Sequence, residues 1–398
     1  MHTKHTAPRV NTAHHAHHVK LHIREFCHDY AFPFIKKNAV LLIAIFAAAI
    51  TAFIVPPNAG YLDYFDWKTL TCLFCVLAVV CALKNIRFFF FLAQKIVKIF
   101  KNTRACILAL AYITFIGSML IANDMALLTF LPLGYFVLST TGKKKYMAFT
   151  FIMQNIAANL GGMLTPFGNP QNLYLYTKFN IPTGEFMLTM LPPFVLAISL
   201  LTLCCFLFVK KEELQITEEK IVLPTWRTII YGVLFALSIV IVFRVIPFWV
   251  GLIIIPIALL FLDRKALAQV DYGLLLTFVA FFIFSGNMAQ IPAVKNAFGY
   301  LMEQNALLVS TLSCQVISNV PSAILLSQFT ASWKPLLYGV NVGGVGTLIS
   351  SLASLITFRE YLSHEKGGAK KYLLLFSAFN FAFLLILLGA CALFLLFI

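Results

Sequence analysis

Of the 15 Asp and Glu in the sequence, Asp124 is the one that falls deep inside an apolar stretch, LIANDMALL at 120–128. The others (Glu25, Asp29, Asp63, Asp66, Glu185, the 212–219 cluster, Asp263, Asp271, Glu303, Glu360 and Glu365) fall in tails, loops or at the ends of apolar runs. A carboxyl group within a membrane is rare and marks an ion or proton pathway by default. Asp124 is therefore the candidate to carry a proton or to neutralise a bound Na⁺. A plainer role, capping the helix that follows, is compatible with either. A second polar break, VISNVPSAIL at 316–325, offers Ser318 and Asn319. It matches Asn123 with Asn319 but sets Val320 against Asp124, so the two breaks are chemically unequal.

Each break is followed by a stretch that would interrupt a helix. ANLGGMLTPFGNPQNL at 158–173 aligns without gaps on VNVGGVGTLISSLASL at 340–355. Asn159 falls on Asn341, Gly161 and Gly162 on Gly343 and Gly344, and Thr165 on Thr347. Gly168, Asn169 and Asn172 fall on Ser350, Ser351 and Ser354. Glycines with Pro166 and Pro170 stop the first helix mid-membrane, and Gly343, Gly344 and Gly346 loosen its counterpart. Non-helical backbone survives there only beside a cavity or inside protein. Freed carbonyls then suit a small cation and half-helix N-termini an anion, with the Asn, Thr and Ser side chains as neutral ligands. Close packing through small residues is the competing explanation of the glycines. No Lys, Arg or His falls in this set, so an anion would be held by amides, hydroxyls, helix ends and a co-bound cation.

The elements that must position these residues follow from composition. Hydrophobic residues make up 61% of the 398 residues and charged residues 11%, and mean hydropathy is +0.89. A soluble fold of this length could not hide so much apolar surface. The chain is expected to be an all-α polytopic membrane protein. Apolar runs long enough to cross lie near 38–56, 68–84, 186–209, 227–243, 246–262, 271–287 and 371–398. The stretches 105–140 and 303–335, each with a polar centre, are expected as re-entrant hairpins, and 146–178 and 337–359 as broken helices. That makes about nine crossings. With the N-terminus in the cytoplasm, all Lys and Arg except Lys68, Lys178, Arg244, Lys295 and Lys334 fall on the inner side, as the positive-inside rule requires. The C-terminus is then outside.

The first hairpin enters from the cytoplasm and the second from outside, so residues 38–209 and 246–398 form inverted repeats. Residues 210–243 are the cytoplasmic loop and linking span between them. Inverted repeats with broken helices near the midplane are the architecture of secondary transporters. Lys95, Lys98 and Lys101 in the 87–104 segment are expected along one side of a helix lying on the inner leaflet. Residues 1–37 form a basic tail with eight of the nine His, expected to be a disordered cytoplasmic segment. The nine Cys have no regular spacing and are expected as buried thiols. The charge of +15 reads as topology, and no nucleic-acid module is present.

IANDMALLTFLPL (121–133), NLGGMLTPFGNPQNL (159–173), SNVPSAILL (318–326) and NVGGVGTLISSLASL (341–355) together resemble the ion transporter superfamily. That group holds arsenite efflux permeases, the NhaD-type Na⁺/H⁺ antiporters, citrate-type permeases and the divalent-anion/sodium symporters, and the chain looks like a short bacterial citrate-transporter-like member. The resemblance spans about residues 38–398. It implies a homodimer, with hairpins and broken helices moving together in an elevator-like motion; the compact chain and its charge-marked orientation are expected to place it in the bacterial inner membrane. In the symporter branch a Ser-Asn-Thr tip on each hairpin holds carboxylate and Na⁺. Ser318-Asn319 fits, Val320 departs, and Ala122-Asn123-Asp124 departs further, toward the arsenite-permease and short citrate-permease-like branches. The resemblance thus implies a permease for a small anion, carboxylate or oxyanion, coupled to H⁺ or Na⁺, with Na⁺/H⁺ antiport or arsenite efflux as the alternative. No further cofactor is implied. A channel lacks a repeated filter motif. An intramembrane protease lacks a second internal acid and an H-E-x-x-H motif.

Overall fold

The computed structural model describes residues 39–214 and 221–396. The His-rich tail, Cys27 and the later part of the 212–219 acidic cluster lie outside the described residues. Helices account for 81% of the described residues.

Two groups of helices divide the molecule. The first holds α1 (Ala39–Ile54), α2 (Trp67–Asn85), α9 (Thr225–Val242), α10 (Phe248–Leu262) and α12 (Tyr272–Gln290). In it α1 packs on α12, and α2 on both α9 and α10. Asp66 caps α2 and Asp271 caps α12 through backbone N–H groups of their first turns. The short α11 (Arg264–Ala268) leads into α12. In its apolar window α2 is 72% buried, whereas the long α8 (Thr183–Phe208) is 22% buried and turns apolar side chains outward. That outward face requires a lipid surround, and among the described residues six helices are long and apolar enough to cross a membrane. The molecule is an integral membrane protein.

The second group carries the breaks foreseen in the sequence. Helix α4 (Thr103–Ile121) stops at Ala122, and α5 (Asn123–Thr140) begins at once. Helix α6 (Met147–Gly161) gives way to a short 3-10 turn and an extended stretch before α7 (Pro170–Lys178). Likewise α13 (Pro292–Ile317) stops at Ser318 before α14 (Asn319–Leu326), and α15 (Trp333–Val342) is separated from α16 (Leu352–His364). Helix α17 (Ala369–Leu395) closes the chain against α8. The earlier and later parts of the chain interlock, with α16 packing on α5 and α6 and α14 on α7, and α14 also packs on α12 of the first group.

Three details differ from expectation. Helix α3 (Phe88–Lys98) ends before Lys101, so only Lys95 and Lys98 share its exposed side. The second hairpin begins at a kink at Asn305, where two helical stretches within α13 meet, rather than at the expected residue 303. Gly161, Gly162 and Gly343 keep right-handed backbone, so although α6 and α15 end at these glycines, the chain of the first break turns extended only at Thr165. Gly161 instead lets the Phe115 carbonyl of α4 approach, and a Cβ on Gly343 would sit 2.8 Å from Cys314 Cβ of α13. At these positions close packing explains the glycine. The eight described Cys are free thiols.

Candidate functional site

The two hairpin tips have the same local geometry. Ala122 (φ 65°, ψ 154°) and Ser318 (φ 76°, ψ 160°) occupy a left-handed region that L residues rarely adopt. The Asn that follows folds back on the backbone. Asn123 Oδ1 accepts from Asp124 N at 3.0 Å, and Asn319 Oδ1 from Val320 N at 2.9 Å. Each broken helix is tied to its hairpin by a threonine. Thr165 Oγ1 donates to Met119 O at 2.8 Å, and Thr347 Oγ1 to Gln315 O at 3.1 Å.

Between the tips lies a buried amide cluster. Asn123 Nδ2 donates to Asn159 Oδ1 at 3.3 Å. Gly344 sits opposite, where a Cβ would lie 3.2 Å from Asn319 Nδ2 and 3.7 Å from Asn159 Oδ1. Asn341 Nδ2 donates to Asn172 Oδ1 at 2.6 Å, and Asn169 Nδ2 to Asn341 Oδ1 at 3.4 Å. Asn172 Nδ2 also donates to Gly162 O at 3.1 Å, which shapes the first break. Ser350 Oγ donates to Gly344 O at 3.0 Å and holds the second break. Asn155 Nδ2 donates to Ser354 Oγ at 3.3 Å, and Ser351 Oγ caps α16 through Ala353 N at 3.2 Å. Ser318 Oγ donates to Ser350 O at 3.3 Å. Pro166 is buried, and Gly168 lies against Thr165 Oγ1. All the residues singled out in the sequence therefore gather at the tips and breaks. Many of their amides are spent on ties across the breaks. The starts of α5, α7, α14 and α16 converge there, and four helix N-termini present partial positive charge.

Asp124 does not join this network. Its Oδ1 is buried and without a hydrogen-bond partner. It lines a cavity of about 70 Å³ bounded by α2, α5, α7, α16 and the start of α12, and Asp271 lines the same cavity. Among the described residues no cluster of three His, Cys, Asp or Glu could hold a metal ion.

The family described as citrate transporter matches residues 31–337. The chain belongs to the citrate transporter family. Two relatives agree with that membership. An uncharacterized transporter of Methanocaldococcus jannaschii is 34% identical over 312 residues, covering 78% of this chain and 85% of its own length. The inner membrane protein YbiR of Escherichia coli is 31% identical over 308 residues, covering 74% and 80%.

In this member of the citrate transporter family, two residues matter that the sequence did not single out. Asp271 stands at a span end, and only the packing of α12 on α2 and α14 brings it to the cavity. Arg244 looked like one exposed loop charge. Its guanidinium stacks 3.8 Å over the Tyr176 ring, and donates to the Tyr176 carbonyl, to Ile181 O at 3.2 Å and to Asn180 Oδ1 at 2.8 Å. It thereby caps the C-terminal end of α7 from the loop between α9 and α10. The only sequence signal for it was its isolation among the few cations assigned outside.

Proposed function

We propose that the protein is a secondary-active permease for a small anion, a carboxylate such as citrate or an oxyanion, coupled to H⁺ or Na⁺ through Asp124. The observation that carries this reading is the convergence of four half-helix N-termini on one buried amide cluster beside an unpaired carboxyl. Helix N-termini offer N–H donors and partial positive charge to an anion, and the carboxyl can take up the coupled cation. Membership of the citrate transporter family supports the carboxylate.

In this reading the chain crosses the membrane about nine times with its N-terminus in the cytoplasm and its C-terminus outside. Its halves are inverted repeats, and the hairpins and broken helices move as an elevator against α1, α2, α9, α10 and α12. The matching strained tips and matching threonine ties support the repeat, and the protein works as a homodimer in the bacterial inner membrane. One observation favours a second reading, Na⁺/H⁺ antiport: among the described residues, the amide cluster contains no Lys, Arg or His to pair with a multivalent anion.

The test is transport current from purified protein in proteoliposomes on a solid support, challenged with citrate and succinate jumps in Na⁺, in K⁺ and across a pH step. A saturable carboxylate current lost in Asp124→Asn is expected. Proton movement driven by Na⁺ without any carboxylate response would replace symport by antiport. Full gradient-dependent transport in Asp124→Asn would remove Asp124 from the mechanism.

A further inference from the structure

We propose that Asp271 is the proton-gathering carboxyl at the mouth of the cavity that ends on Asp124, and that the cation taken up there is a proton rather than a metal ion. The proposal rests on the reading of Asp124 as the coupling residue, and it adds a second acid and a route.

The composition of the cavity separates the two cations. A hard metal ion needs about six oxygen ligands. Apart from Asp124 and Asp271, the walls are built from apolar side chains such as Leu73, Val76, Met125, Phe167, Leu274 and Ile356. They supply no cage. A proton needs none. An oxygen with no donor beside it, as Asp124 Oδ1 is, leaves the charge of this half-buried carboxyl uncompensated on that side, and a proton is the one compensation requiring no further ligand. The cavity volume of about 70 Å³ exceeds the roughly 10–15 Å³ that one water demands, so a short water chain can join the two acids. Asp271 first takes a proton from bulk water, forming an O–H bond. That bond breaks as the proton passes along the water chain, an O–H bond forms on Asp124, and Asp271 is left a carboxylate ready to take the next proton.

Asp271 stands on the open side. It is exposed, it begins α12, and its neighbours Arg264 and Lys265 belong to a loop assigned to the cytoplasm. Among the described residues, Asp124 and Asp271 are the titratable side chains lining the cavity. Beyond it, the Cys81 thiol of α2 lies in the field of Asp271, Asp263 and Lys84. A cleft walled by one sign of charge raises the local concentration of the opposite ion and its arrival rate by about 10- to 1,000-fold.

Asp271→Asn isolates the charge from the fold. Asp271 Oδ1 caps α12 by accepting from Leu274 N at 2.9 Å, and Asn caps a helix as well as Asp does. The experiment follows the carbonyl stretch of a protonated carboxyl by time-resolved infrared spectroscopy on the full chain in proteoliposomes. The probe is an acid jump, in K⁺ and in Na⁺, with no solute. A band lost in Asp124→Asn assigns it to that residue. With that band present, Asp271→Asn is expected to slow its rise about tenfold, to leave its final amplitude, and to be rescued by Asp271→Glu. An unchanged rate in Asp271→Asn overturns the entry role. Suppression of the band by Na⁺ at constant pH overturns the choice of proton. A wild-type protein with no band dependent on Asp124 strikes the underlying coupling reading instead.

Discussion

Ala122 and Ser318 hold backbone conformations that cost about 1–3 kcal/mol each for an L residue. That strain sits where Asn123 and Asn319 turn their side chains back to receive the next backbone N–H. Glycine would adopt the same angles without penalty. Ala122→Gly should therefore raise stability by about 1 kcal/mol and weaken the solute-driven current of the proposed permease, because the tip loses pre-organisation. Thermal unfolding in detergent together with the transport assay reads both, and a lower melting temperature would show that the tip is unstrained. Asp124 was legible in the sequence because a single charge in an apolar run needs no partner to be noticed. The strain at Ala122 was not, since alanine has no preference that betrays a positive φ. Asp271 was hidden for another reason: at a span end an acid looks like an ordinary cap, and it is one.

At the scale of elements, the breaks at 122, 165–169, 318 and 343–351 were visible because Gly, Pro and Asn interrupt long apolar runs. The role of individual glycines was not, because whether a glycine bends its own chain or admits a neighbour depends on packing. Gly161 and Gly343 do the latter. Arg244 belongs to this scale, since it clasps the end of α7 to the loop between α9 and α10. Lysine cannot reproduce its fork of donors or its stacking on Tyr176. Arg244→Lys should cost about 2 kcal/mol, measured as a fall in thermal stability, and equal melting of the two proteins would show that the clasp carries no stability. A second tie fastens the hairpin to the inner loop. Lys143 and Lys145 reach Glu212 at 2.5 and 2.7 Å and lower its carboxyl from an ordinary 4.5 to about 2. A depressed carboxyl contributes stability above its ordinary value and loses it as pH falls through about 2. Between these limits the wild type should lose stability with acid more steeply than Glu212→Gln. Parallel acid-melting curves for the two proteins would contradict the tie.

Across the whole molecule, the amides of Asn169, Asn172 and Asn341 join one broken helix to the other, so the two halves are bound into one unit at their centre. Asn341→Leu would leave buried partners on Asn169 and Asn172 unmet, at about 3 kcal/mol. Urea or thermal unfolding in detergent should show that loss, and a change below about 0.5 kcal/mol would mean the halves hold together without it. One feature of the first helix group has a mechanical consequence. Helix α10 has 15 residues, so it measures about 22 Å against a hydrocarbon layer of about 30 Å. Where it faces lipid, the bilayer must thin to meet it, at a fraction of a kcal/mol for each ångström. Acyl-chain length then becomes a control variable. Melting temperature, and with it the transport current of the proposed permease, should be highest in short-chain phosphatidylcholines and fall steadily as the chains lengthen, and a flat response would show that other helices set the hydrophobic height. The same elastic term would favour two copies sharing one thinned patch, so thick membranes should pull subunits together.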